Sequence, residues 1–308
     1  MLPCDDSPMK PDKLIDPVTR DLWQVIAATD EVPVGAVETT LLLDTPIALT
    51  RDEEGQPVVW RRTVEEAGDE IDAAEIVERL PVLVRYGYVW TSLGNPAEDL
   101  FPIPEYAEPD RKNMNCGSIG VNVSAPRAVE NFLDMGHFPY VHTDILGAEP
   151  HTEVKEYDVE VSEERDEVLA TRCRFFQPRA ALSATEGIEV EYVYRVPHPF
   201  CSVLYKSCPE DESRRDVIAI FLQPMTQDRC RAHLLQSMVD SVSTITELRR
   251  FQQTIFGQDK PILENQMPRR LPLDPRAETP IRADKSAIAY RRWLSRKGIA
   301  YGVIPQAS

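Results

Sequence analysis

No apolar run in this 308-residue chain approaches the roughly 20 residues that a membrane-spanning helix needs. Basic charge is also scarce: 34 lysines and arginines stand against 51 acids, for a net charge of -17. That balance argues against nucleic acid or an anionic membrane surface as a partner, because both reward positive charge. None of the six cysteines (4, 116, 173, 201, 208 and 230) belongs to a CxxC pair, so reduced thiols are the expectation. The opening stretch MLPCDDSPMKPDKL lacks the basic start and apolar core of a secretory signal, which predicts a cytoplasmic protein. Internal repeats and low-complexity segments are missing too. Histidines number only five, and three of them (His137, His142 and His151) fall within fifteen residues.

Hydrophobic residues make up 42% of the chain, enough to bury a real core. Residues 36–43, 47–50 and 57–62 read as short strands, split by the turn chemistry of Asp44-Thr45-Pro46 and Asp52-Glu53-Glu54-Gly55. Residues 63–80, with seven acids and one arginine, read as a solvated loop or a short acidic helix. Strand character resumes over 82–92. Ser124 and Pro126 announce a helix over 126–145. From about 153 to 240 apolar and polar residues alternate in successive segments, predicting an antiparallel meander with one face buried. A long helix is expected over 243–266. The fold class is α+β, divided into a small β domain (1–118) and a second domain (119–308) built on the antiparallel sheet and the long helix.

The segment richest in chemistry runs Glu130-Asn131-Phe132-Leu133-Asp134-Met135-Gly136-His137-Phe138-Pro139-Tyr140-Val141-His142. Two histidines five apart reach one metal if the helix breaks between them, and Pro139 offers a break. Neutral imidazoles suit Fe, Zn, Cu or Ni, and a carboxylate as third ligand makes a site that activates O₂ on Fe(II). Alone, the spacing also fits unrelated core or surface histidines.

The whole string resembles the iron-binding motif of the Rieske non-haem iron oxygenases. The resemblance implies His137, His142 and Asp259 as iron ligands, the last within Phe256-Gly257-Gln258-Asp259-Lys260. Gln258 stands where the family often has an acid, a departure beside the ligand rather than on it. Asp134 is implied as the carboxylate that links the iron histidine to a cluster on a neighbouring polypeptide; a surface acid or ion-pair partner is the plainer role. The resemblance reaches Tyr290-Arg291-Arg292-Trp293-Leu294 and implies a helix-grip catalytic domain preceded by a Rieske-like β domain. In that first domain it rests on Leu22-Trp23-Gln24-Val25, Leu41-Leu42-Leu43-Asp44-Thr45-Pro46 and Arg85-Tyr86-Gly87-Tyr88-Val89-Trp90.

A Rieske [2Fe–2S] centre needs Cys-x-His and Cys-x2-His. The chain has no Cys-x-His, and its single Cys-x2-His, Cys230-Arg231-Ala232-His233, reads as a strand. Between Trp60 and Pro81, where relatives carry the cluster loops, only the acidic segment stands. The chain therefore looks like a cluster-less terminal oxygenase subunit, similar to that of bacterial methylxanthine N7-demethylation in caffeine degradation. That likeness implies a separate Rieske-containing reductase using NAD(P)H and flavin, a glutathione-transferase-like subunit, and a hetero-complex or a homotrimer. On the helix bearing Asp259, Phe256, Ile255 and Gln252 share its face, so they are expected to reach substrate, with ordinary helix packing as the alternative. Asn131 is expected to line the site or to serve packing, and His151 only to pack. Phe175, Phe176, Tyr192 and Tyr194 are further pocket candidates, though periodicity turns half of them away. A ring hydroxylase, an O-demethylase or a catalytically silent small-molecule binder are the competing functions.

Overall fold

The structure, a computed structural model, describes residues 15–62, 78–180 and 186–306. A short helix α1 (Pro17–Asp21) is capped by Asp16, whose carboxylate accepts from the Thr19 N–H at 2.7 Å. Strand β1 (Gln24–Ala28) follows, then β2 (Glu38–Leu42), β3 (Thr45–Arg51) and β4 (Pro57–Arg61), the last three forming an antiparallel sheet. The stretch expected as one strand over 82–92 is instead a hairpin, β5 (Val82–Arg85) and β6 (Tyr88–Thr91), which pairs with β1 in the order β1-β6-β5. Tyr86 and Gly87 both have positive φ, 57° and 77°, as a two-residue turn of this hand requires. Of the acidic segment, residues 63–77 lie outside the described residues. Glu78 pairs with Arg61 at 3.2 Å and Leu80 is buried.

The second sheet is larger. It contains β7 (Lys112–Val121), β8 (Asp158–Ser162), β9 (Glu167–Gln177), β10 (Ile188–His198), β11 (Cys201–Ser207), β12 (Arg215–Thr226) and β13 (Arg229–Met238), in the order β7-β13-β12-β11-β10-β9-β8. All its pairings are antiparallel. Strand β7 of this sheet runs across position 118/119, where the sequence divides the chain. The Cys-x2-His segment lies inside β13, as a strand.

The central strands are buried on both faces, not on one as the alternation suggested. Val217, Ala219 and Phe221 of β12 pack with Trp23, Tyr88 and Trp90 of the N-terminal sheet. Ile220 and Leu222, pointing the other way, join the core beneath the helices. A strand sandwiched between two layers carries a nearly continuous apolar run, and Val217-Ile218-Ala219-Ile220-Phe221-Leu222 is one.

The remaining α-helices among the described residues are α2 (Ala125–Leu133), α3 (Phe138–Val141), α4 (Ile245–Asn265) and α5 (Lys285–Lys297), with a small parallel pair β14 (Leu271–Pro272) and β15 (Val303–Ile304). The helix expected over 126–145 is thus two helices. Pro139 does not make the break. It sits in the first turn of α3, where a missing N–H costs nothing, and the chain leaves α2 earlier, at Asp134. Helix α4 opens with a capping box between Thr244 and Glu247. Its buried residues, Leu248, Gln252, Phe256, Asp259 and Leu263, recur every three or four positions and form one stripe. Among the described residues no helix is long and apolar enough to cross a membrane.

Candidate metal centre

Helix α2 is held rigidly from below. Arg127, fully buried, pairs with Glu130 at 2.9 Å and Glu278 at 2.7 Å, and Arg291 of α5 reaches the same Glu130 at 2.6 Å. The helix ends where Asp134 turns to extended backbone, φ −78° and ψ 122°. Its carboxylate accepts from the Gly136 N–H at 2.7 Å and from His137 Nδ1–H at 3.0 Å. His137 then caps the short α3, and His142 leaves its far end. Gly147 packs directly on that turn: a Cβ there would stand 2.8 Å from the Pro139 backbone nitrogen.

These local constraints bring three of the sequence-predicted residues together. His137 Nε2 lies 3.1 Å from His142 Nε2 and 3.3 Å from Asp259 Oδ1, and His142 Nε2 lies 3.1 Å from the same oxygen. Donor atoms bound at right angles by bonds of about 2.1 Å would sit about 3 Å apart, so the set fits a metal with open positions on its far side. Each imidazole is turned by its other nitrogen. Asp134 takes the His137 Nδ1–H, and the Gln258 side-chain oxygen takes the His142 Nδ1–H at 2.9 Å, so both rings direct Nε2 inward. Gln258 is therefore not the bystander that its place beside Asp259 suggested. Burial works against the proton on His137, but the hydrogen bonds to Asp134 and Asp259 outweigh it and hold the ring's pKa up at about 9. At Asp259 burial again opposes charge, and the two histidines more than offset it, holding the carboxyl down at about 2.

The three side chains border a pocket between the large sheet and α4. Asn131, Gln252, Ile255 and Phe256 line it, as do Tyr192 and Tyr194 from β10. Phe175 is buried against Phe138 with ring centroids 5.3 Å apart, whereas Phe176 lies on the other face, tilted against the His151 ring at 4.5 Å. Gln252 is oriented by a relay. Burial pushes the Cys116 thiol up to about 12, so it stays a donor, 3.4 Å from the Gln236 oxygen. The Gln236 amide donates in turn to the Gln252 oxygen at 3.1 Å, leaving the Gln252 NH₂ for a ligand. A second concavity lies on the other side of His137, lined by Glu130, Asn131, Asp134, Glu278 and Asp284. His137 and Asn131 border both.

Sequence reasoning missed several lining residues. Gln236, Lys206 and Asp216 sit on strands, in phase with the pocket-facing Leu234, Leu204 and Ile218. A polar side chain in step with an apolar face was the available signal.

Residues 121–298 match the family of the vanillate O-demethylase oxygenase C-terminal domain. The chain is 52% identical over 217 residues to the probable methylxanthine N7-demethylase NdmC of Pseudomonas sp. (strain TJI-51), covering 70% of this chain and 77% of that one. It belongs to the Rieske-type oxygenases. The methylxanthine N1-demethylase NdmA of Pseudomonas putida is 26% identical over 235 residues, 71% of this chain and 60% of that protein. Dicamba monooxygenase with 3,6-dichlorosalicylic acid bound shares the fold of this oxygenase at a TM-score of 0.70 and 18% identity, over 91% of this chain and 97% of that one. Membership of this family implies iron, and the His137–His142–Asp259 group is where the described residues can hold a metal.

Proposed function

We propose that the chain is the terminal component of an oxidative N-demethylase acting on the N7-methyl group of a methylxanthine. The observation that carries this is the set of three donor atoms within 3.1–3.3 Å of one another beside an apolar pocket, in a chain half identical to a probable methylxanthine N7-demethylase. His137, His142 and Asp259 would hold Fe(II). Iron in that site supplies oxidation of the methyl carbon by O₂ and two electrons, giving a hydroxymethyl group that collapses to formaldehyde and the demethylated ring. The chain's own residues do the rest. Gln252 offers an oriented amide to a ring acceptor, Phe256 and Ile255 pack on the heterocycle, and Asn131 stands between the two concavities. Asp134 holds the Nδ1 proton of His137 and lines the outer concavity, where the electron donor would dock.

With no Cys-x-His in the sequence, the chain holds no [2Fe–2S] cluster of its own in this reading. Electrons come from a separate Rieske-containing reductase fed by NAD(P)H through a flavin. A hetero-complex, with room for a glutathione-transferase-like subunit, fits better than a homotrimer, because no cluster is offered to a neighbouring copy. The family's name favours a second reading, O-demethylation of an aryl methyl ether on the same iron.

The test is turnover of the iron-loaded chain with such a reductase, NADH and O₂. One formaldehyde per demethylated xanthine is expected from 7-methylxanthine. Ring hydroxylation without formaldehyde, or formaldehyde only from aryl methyl ethers, would reject the proposal, and a chain that takes up no Fe(II) would reject any oxygenase function.

A further inference from the structure

The far wall of the pocket holds a charged residue that the metal chemistry does not use. Across the sheet, Tyr192, Lys206 and Asp216 stand opposite one another in register, and all three face the cavity. Lys206 is buried, with 6% of its surface exposed, and it is the only lysine or arginine among the described lining residues. Its ammonium donates to the Ala180 carbonyl. Among the described residues no carboxylate lies within 4 Å of it: Asp216 beside it instead accepts the Val239 N–H at 2.8 Å. An ammonium has three N–H donors. Two therefore remain unpaired among the described residues, in a cavity whose walls are mostly apolar. Burying a cation so incompletely paired is costly unless a ligand completes it.

Lys206 lines the same pocket as His137, His142 and Asp259. The Tyr192 ring lies 6.2 Å from Phe138, whose ring meets His137 edge-on at 5.1 Å. Lys206 is one strand beyond Tyr192, a step of about 4.8 Å. Burial pulls its pKa down to about 8, so the proton is still held at neutral pH.

We infer that Lys206 anchors the substrate, donating to a carbonyl oxygen on the six-membered ring of the heterocycle while the methyl group faces the metal. This rests on the demethylase reading and adds the feature by which the pocket tells an oxidised purine from an unoxidised one. Lys206 adds a second donor to the Gln252 amide, so rings that offer two acceptors are favoured.

Binding to the Fe(II)-loaded chain under anaerobic conditions, followed by calorimetry, tests this with two probes. 7-Methylxanthine carries the ring carbonyls; 7-methylpurine keeps the ring and the methyl but lacks them. Wild type is expected to prefer 7-methylxanthine. Lys206→Met should weaken 7-methylxanthine by about 10–100-fold, the range for a charged hydrogen bond, and change 7-methylpurine by less than about threefold. Lys206→Arg, which keeps the charge, should retain part of the preference. Equal weakening of both probes, or 7-methylxanthine affinity unchanged in Lys206→Met, overturns the assignment while leaving the demethylase reading in place. If Lys206→Met does not fold, Lys206→Gln, which can still donate to Ala180, is measured against the same criteria. Failure of wild type to bind any methylxanthine overturns the demethylase reading, and the anchor with it.

Discussion

His137 holds its proton between two carboxylates, and a metal must displace it. With the ring's pKa at about 9, the proton is bound throughout the neutral range. Apparent affinity for Fe(II), or for Co(II) as an air-stable substitute, should therefore rise about tenfold per pH unit up to about pH 9 and then level off. Titrations between pH 6.5 and 9.5 measure this, and a flat profile would mean that the ring is neutral before metal arrives. Gln258 presents a different case. Its oxygen turns His142, so Gln258→Leu should weaken metal binding by about 10–100-fold, whereas Gln258→Glu, which still accepts, should stay near wild type. The glutamine was visible in the sequence as a departure beside Asp259. Its role was not visible, because the partner lies 116 residues away and only the return of α4 past α3 brings the two together. Lys206 was hidden for a related reason: a single lysine in a strand reads as solvent-facing until the layer above that face is known.

At the scale of elements, the decisive joint is the passage from α2 through α3. Gly147 lies so close to the Pro139 backbone that any side chain displaces it. Gly147→Ala should shift α3 and reduce bound iron to well below one per chain, while circular dichroism shows the sheet intact; full occupancy would show that the joint is softer than its packing suggests. The support beneath α2 is stiffer. Arg127→Met would strand the Glu130 and Glu278 carboxylates near the remaining Arg291, and breaking a buried pair of this kind costs about 3–5 kcal/mol. A correspondingly large fall in Tm, seen by calorimetry, is expected. Much of this architecture could be read from the sequence. Ser124 and Pro126 marked the start of α2, and alternation marked most strands of the large sheet. The hairpin at Tyr86-Gly87 escaped because aromatic and β-branched residues run on through the turn. The break at Asp134 escaped because the bend belongs to a polar side chain holding the next turn, while the proline nearby drew attention to itself.

For the whole molecule, the two concavities offer separate approach routes for the proposed reaction. Asp134, with 36% of its side chain exposed, lines the outer one and not the pocket between the sheet and α4. Asp134→Asn should leave iron content and 7-methylxanthine affinity near wild type yet suppress formaldehyde production driven by the reductase. Loss of iron in that variant would instead reduce Asp134 to a structural prop for His137. That His137 forms a wall of both spaces has a kinetic consequence. In the proposed reaction, a donor protein on one side and a small heterocycle on the other would not compete for the same opening. Turnover should then show intersecting initial-rate lines when heterocycle and donor are varied, the pattern of a ternary complex. The catalyst need not empty itself between receiving electrons and receiving substrate.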